Sequence, residues 1–61
     1  DPGSARAINN RGAALAALGQ TEAARQDFER ALRIDPCQAD ARTNLLHIGV
    51  TPPPADCRGA R

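Results

Sequence analysis

The sequence predicts an all-α chain: a helix-turn-helix hairpin at about 4–18 and 21–34, a third helix at about 38–48, and an extended proline-rich tail. Three observations carry this. Thirteen of 61 residues are alanine and only one is aromatic, a composition that favours helix over strand. Two long segments hold no proline. Most informative is a period: Asp1-Pro2-x-x-Ala5-x-Ala7-x-x-Asn10 returns 34 residues later as Asp35-Pro36-x-x-Ala39-x-Ala41-x-x-Asn44. Self-similarity at such a period signals stacked units, each needing a neighbour to bury its apolar face.

Ser4 suits a helix N-cap, Gly12 is the one weak helix former before Leu18, and Gly19 closes the first helix. At 100° per residue, Ile8, Gly12, Leu15 and Leu18 share one side, which is expected to be buried, with Arg11 at its edge. The second helix carries the apolar stripe Ala24, Phe28, Ala31 and Leu32. Glu22 complements the macrodipole at its start, and Arg30 and Arg33 do so at its end. Arg25 with Glu29 and Glu29 with Arg33 are spaced for solvent-side ion pairs worth about 0.2–0.5 kcal/mol each.

Between these helices lies only Gly19-Gln20, so they must run antiparallel, with Gly12 and Ala24 at the crossing. Pro36 ends the second helix because it lacks an amide hydrogen. In the third helix Ala41, Leu45 and Ile48 recur at helical spacing, and Gly49 is the expected stop. Val50-Thr51-Pro52-Pro53-Pro54 must then be extended, as a linker or a strap over the third helix.

These residues together resemble the tetratricopeptide repeat, a 34-residue helix-turn-helix unit with the pattern W-x2-L-G-x2-Y, then A-x3-F, then P. The matching residues are Ile8, Arg11, Gly12, Leu15, Ala24, Phe28, Ala31 and Pro36, and the resemblance covers Asp1 to about Ile48. Ile8 replaces a Trp, Leu15 a Tyr and Arg11 a Leu of that pattern, which lightens the core. Leu46 stands 34 residues after Gly12, where a large side chain obstructs a further partner helix. The resemblance thus implies a right-handed α-solenoid fragment: one repeat at 5–38 and a capping helix at 38–48, within a unit at 1–49 followed by a tail at 50–61.

The charge of +1, from eight arginines among seven acids, lacks the clustered basic face of a nucleic-acid or acidic-lipid binder. No stretch approaches the roughly 20 apolar residues that span a bilayer, and no charged-then-apolar leader is present. The expectation is therefore no nucleic acid and no membrane. Because the chain does not begin with Met, it is expected to be a processed product or part of a longer protein.

Catalysis is not expected. No nucleophile comes with a base and an orienting third group, no glycine-rich phosphate loop exists, and the acids are spread along solvent faces. Cys37, His47 and Cys57 lack a fourth ligand and any zinc-like spacing, so neither metal nor cofactor is expected. Cys37 and Cys57 are a disulfide candidate. A third helix of about 10 residues spans about 15 Å, and nine residues of polyproline II span about 28 Å, so the tail can return to the start of that helix. A bridge there would imply an oxidising, exported setting, and free thiols a cytoplasmic one.

What remains is surface. Arg6, Asn9, Asn10 and Ala13 lie opposite the buried stripe of the first helix, with Asp40, Thr43, Asn44 and His47 in the corresponding places on the third. The resemblance implies that first helices line a groove for extended peptides, in which Asn10 and Asn44 would bond to a peptide backbone; an amide both donates and accepts. The expected partner is a protein or peptide. The alternative is a structural subunit in which further copies of the chain stack head to tail into a fibre, with Thr51 in the tail as a possible modification site.

Overall fold

Ser4 begins the first helix as predicted: its backbone is extended and its Oγ accepts from the Ala7 amide at 3.4 Å. The computed structural model describes residues 3–52 and contains three helices, α1 (Ala5–Ala17), α2 (Thr21–Ile34) and α3 (Ala39–His47). There are no strands among the described residues. α1 and α2 form the helical hairpin, and α3 packs mainly on α2.

Gly19 and Gly49 explain how α1 and α3 stop. Both have positive φ, +82° and +83°, which glycine adopts without a Cβ penalty. Gly19 and Gln20 donate to the carbonyls of Ala16 and Leu15 at 3.0 and 2.9 Å, and Gly49 and Val50 donate to those of Leu46 and Leu45 at 3.0 and 2.9 Å. Both ends are therefore Schellman motifs, which satisfy carbonyls the helix itself leaves open. Gly49 stands 34 residues after Leu15, so α3 ends about a turn earlier than α1. Its C-cap is Ile48, the last residue of the predicted span.

Between α2 and α3 the Asp-Pro turn is fixed by Asp35. Its Oδ1 accepts from the Cys37 amide at 3.0 Å, and its carbonyl accepts from the Gln38 amide at 3.0 Å. Gln38 then caps α3, its Oε1 accepting from the Ala41 amide at 3.2 Å. Ser4 and Gln38, 34 residues apart, thus perform the same task with different side chains. The earlier Asp1-Pro2, the tail from Pro53 and the Cys57 half of the expected disulfide lie outside the described residues.

Ala5, Ile8, Ala24, Phe28, Ala31, Leu32, Ala41 and Leu45 form the buried core, with Leu15, Ala16, Ile48 and Val50 half-buried against it. Gly12 is buried in the hairpin, and its nearest neighbours across the crossing are the Phe28 ring and Asp27, not the expected Ala24. A Cβ added there would lie 2.6 and 2.8 Å from two ring carbons and 3.1 Å from the Asp27 Cβ.

Two expectations about burial fail. Leu18, assigned to the buried side of α1, is 72% exposed because it is the C-cap, where the chain already turns away. Asp27, assigned to a solvent face, is buried at 6% exposure. Thr51 lines a shallow depression with Glu29, Leu32 and Arg33 of α2.

Candidate functional site

α1 and α3 start side by side. One depression is lined by Ser4, Ala5 and Arg6 from the start of α1 and by Gln38, Ala39 and Asp40 from the start of α3, with Ile34 and Asp35 between them. The two helices therefore run in the same direction, and their outward sides lie next to each other. Arg6, Asn10 and Ala13 on α1 are exposed there, as are Asp40, Thr43 and His47 on α3. Arg6 and Asp40 hold corresponding positions with opposite charge, which gives the face a polarity across its width.

Asn9 is the correction. It is only 4% exposed and lies between the helices, where its Oδ1 accepts from Asn44 Nδ2 at 3.0 Å. A wheel weighted by apolar residues places Asn9 outside because it registers contact with α2 alone. Asn9 is 100° round from Ile8, on the flank that α3 covers. Asn44 is half-buried by the same contact, so the two predicted amides are not equivalent. Asn10 keeps its full donor and acceptor capacity, whereas Asn44 has committed one N–H to the scaffold and retains its carbonyl oxygen and second N–H.

A second polar pair, between α1 and α2, was not foreseen. Arg11 Nε and Nη2 donate to Asp27 Oδ2 and Oδ1, both at 2.8 Å, a bidentate fork. The Asp27 side chain is 9% exposed and that of Arg11 61%. The guanidinium hydrogen bonds hold the Asp27 carboxyl below the usual carboxylate range, against the burial that pushes it up. The signal lay in the spacing: Asp27 is three residues after Ala24 and four before Ala31, inside the apolar stripe. A hairpin turning at 19–20 also brings position 27 back to the level of position 11.

Because its folded pKa is depressed, Asp27 stabilises the fold above the unfolded carboxyl value of about 3.9, and that contribution is lost as pH falls through the folded value. Urea unfolding at pH 7 and pH 3 is expected to show lower stability in acid. Asp27→Asn is expected to be less stable at pH 7 and to have a smaller acid loss than the parent. An unchanged acid loss in that variant would assign the effect elsewhere.

On α2, Arg25 bonds Glu22 and, at 3.0 Å, both oxygens of Glu29. The expected Glu29–Arg33 pair is not made, since Arg25 holds Glu29. Among the described residues, no three His, Cys, Asp or Glu side chains converge as metal ligands would, and no helix is long and apolar enough to cross a membrane. The one buried carboxylate among them, Asp27, is committed to Arg11. Chemically, the arrangement offers hydrogen bonds and charge on a helical face.

The family model described as Tetratricopeptide repeat matches residues 5–36, more than half of the 61. No curated protein and no solved structure matches the chain.

Proposed function

The chain belongs to the tetratricopeptide repeat family, and from that premise we propose a non-catalytic interaction module that receives an extended peptide along the outward face of α1 and α3. Repeats of this family generally mediate protein–protein interaction and are typically non-catalytic. The observation that carries the finer reading is the Asn44–Asn9 hydrogen bond at 3.0 Å. It sets α1 and α3 in register and leaves Arg6, Asn10 and Ala13 beside Asp40, Thr43 and His47 on one stepped surface. On this reading residues 1–49 are the interaction unit, with the repeat at 5–38 and the cap at 38–48, and 50–61 are the tail.

The physics of recognition is generic. A peptide group presents one donor and one acceptor whatever its side chain, and the Asn10 carboxamide answers both. Arg6 adds a cation for an acidic residue or a terminal carboxylate at one end, and Asp40 disfavours the same charge across the face.

The competing reading is a head-to-tail fibre. Regular stacking would place the α1 of one copy on the α2 of the next, but α3 already occupies that side of α2. Leu46, 59% exposed, further obstructs the position that Gly12 leaves open one repeat earlier. These contacts favour the adaptor.

The test is peptide selection against the immobilised chain, followed by affinity measurement of an enriched peptide. Asn10→Ala is expected to weaken binding by about 2- to 10-fold, the worth of one net hydrogen bond. Light scattering should report a monomer at all concentrations. Ordered filaments without added peptide, or peptides indifferent to Asn10→Ala, would count against the proposal.

A further inference from the structure

α3 is the least secured of the three helices. It has nine residues, against 13 in α1 and 14 in α2, and only its Ala41 and Leu45 are buried. Isolated helices shorter than about 12 residues are marginal in water. Its ends are fastened locally, by Gln38 at the start and by the Schellman turn at Gly49. A further fastening lies just outside it. Cys37, exposed on the turn into α3, carries no free thiol, and the sequence holds one other cysteine, Cys57. A Cys37–Cys57 bond closes a covalent ring around the whole of α3.

Reach and chemistry both suit that ring. Thr51 lines the depression whose other walls are Glu29, Leu32 and Arg33, in the last turns of α2, and Val50 before it packs against the core. From Arg33 to Cys37 the chain takes four steps, at most about 14 Å. From Thr51 to Cys57 it takes six, about 19 Å as polyproline II, the conformation that Pro52, Pro53 and Pro54 favour. The distance is therefore covered with little slack. Pro53, Pro54 and Ala55 are apolar enough to lie on Leu32, and the two prolines bring no N–H that would need a partner there.

We infer that residues 53–57 lie as a strap across this depression, joined to Cys37 through Cys57, and that the bond is a redox latch on α3. A dithiol reductant opens it. One thiolate attacks a sulfur of the pair, the S–S bond breaks, and the displaced cysteine sulfur takes up a proton. The second thiol resolves the mixed disulfide, so two electrons and two protons pass to the chain and the reductant becomes the disulfide. α3 then rests on its caps and two buried side chains. Because α3 carries Asp40, Thr43, Asn44 and His47, the reduced chain holds half of the peptide face less firmly, a consequence that rests on the function proposed above.

The test compares amide hydrogen exchange of the full 15N-labelled chain, air-oxidised and in dithiothreitol. The oxidised chain is expected to be a monomer with no titratable thiol. Reduction is expected to speed exchange at Leu45 and Leu46 about a hundredfold, the effect of opening a ring of this size, and to leave α3 less protected than Gly12 and Leu15 of the hairpin. The amide signals of Glu29, Leu32 and Arg33 should move as the strap leaves. Cys57→Ser should match the reduced chain with or without dithiothreitol. A titratable thiol in the oxidised chain, a dimer linked through Cys37, α3 protection that ignores reduction or is lost equally with that of the hairpin, or unmoved signals at Glu29, Leu32 and Arg33 would each overturn the inference. A selected peptide that binds neither form while α3 still loosens on reduction would count against the peptide face and support the latch.

Discussion

Phe28→Ala is expected to leave the chain unfolded at room temperature. Phe28 is 1% exposed and, with Leu45, is one of the two largest fully buried side chains. It is also the one aromatic residue in the sequence, so the remaining core consists of small and aliphatic groups. Truncating a buried Phe costs about 3–5 kcal/mol through lost transfer free energy and the cavity left behind. A core of this size rarely supplies more than about 3–5 kcal/mol in total. Loss of the helical circular dichroism signal at 25 °C is the readout. A variant that still melts cooperatively near the parent temperature would show that the hairpin is held by something other than this ring.

Gly12→Ala is expected to give the second largest effect, and its sign opposes ordinary helix propensity. In an exposed helix the change would stabilise by about 1 kcal/mol. Here the new methyl would sit 2.6 Å from a Phe28 ring carbon and 3.1 Å from the Asp27 Cβ. The ring is 1% exposed and packed within the core, so the clash is expected to push α1 and α2 apart. Overpacking of this kind costs about 1–3 kcal/mol, and the net result is a lower urea midpoint. Phe28→Leu is expected to relieve part of that cost in the double variant, a coupling that a double-mutant cycle isolates. Additive effects, or a stabilised Gly12→Ala, would contradict the close crossing.

These predictions rest on features that were legible to different degrees. The hairpin was fully legible, because Gly19, Pro36 and the 34-residue period act locally on backbone conformation. Its span at 21–34 is that of α2. Leu18 misled because the wheel continued past the point where the Schellman turn redirects the chain. Asn9 misled for a different reason. Its burial depends on α3, which is brought alongside only by tertiary packing, and a polar residue that satisfies another polar residue leaves no trace in an apolar pattern. The Arg11–Asp27 pair combines both problems: its members are 16 residues apart in sequence, and each alone looks like a solvated charge. Together they replace an apolar contact with a fork, so that an Arg takes the place of a Leu without leaving a buried carboxylate unpaired.

The proposed peptide-facing surface was legible in part. The exposed positions of both helices followed from the period, but the unequal roles of Asn10 and Asn44 did not. The period makes them counterparts, whereas the structure ties Asn44 to Asn9. On the proposed reading this difference makes Asn10, the freer amide, the ligand contact.

The most direct measurement is amide chemical-shift mapping of the full chain with a peptide enriched by selection against it. A continuous track of shifts is expected through Arg6, Asn10 and Ala13 on α1 and through Asp40, Thr43, Asn44 and His47 on α3. Shifts that leave that track unmoved while the peptide binds elsewhere would contradict it.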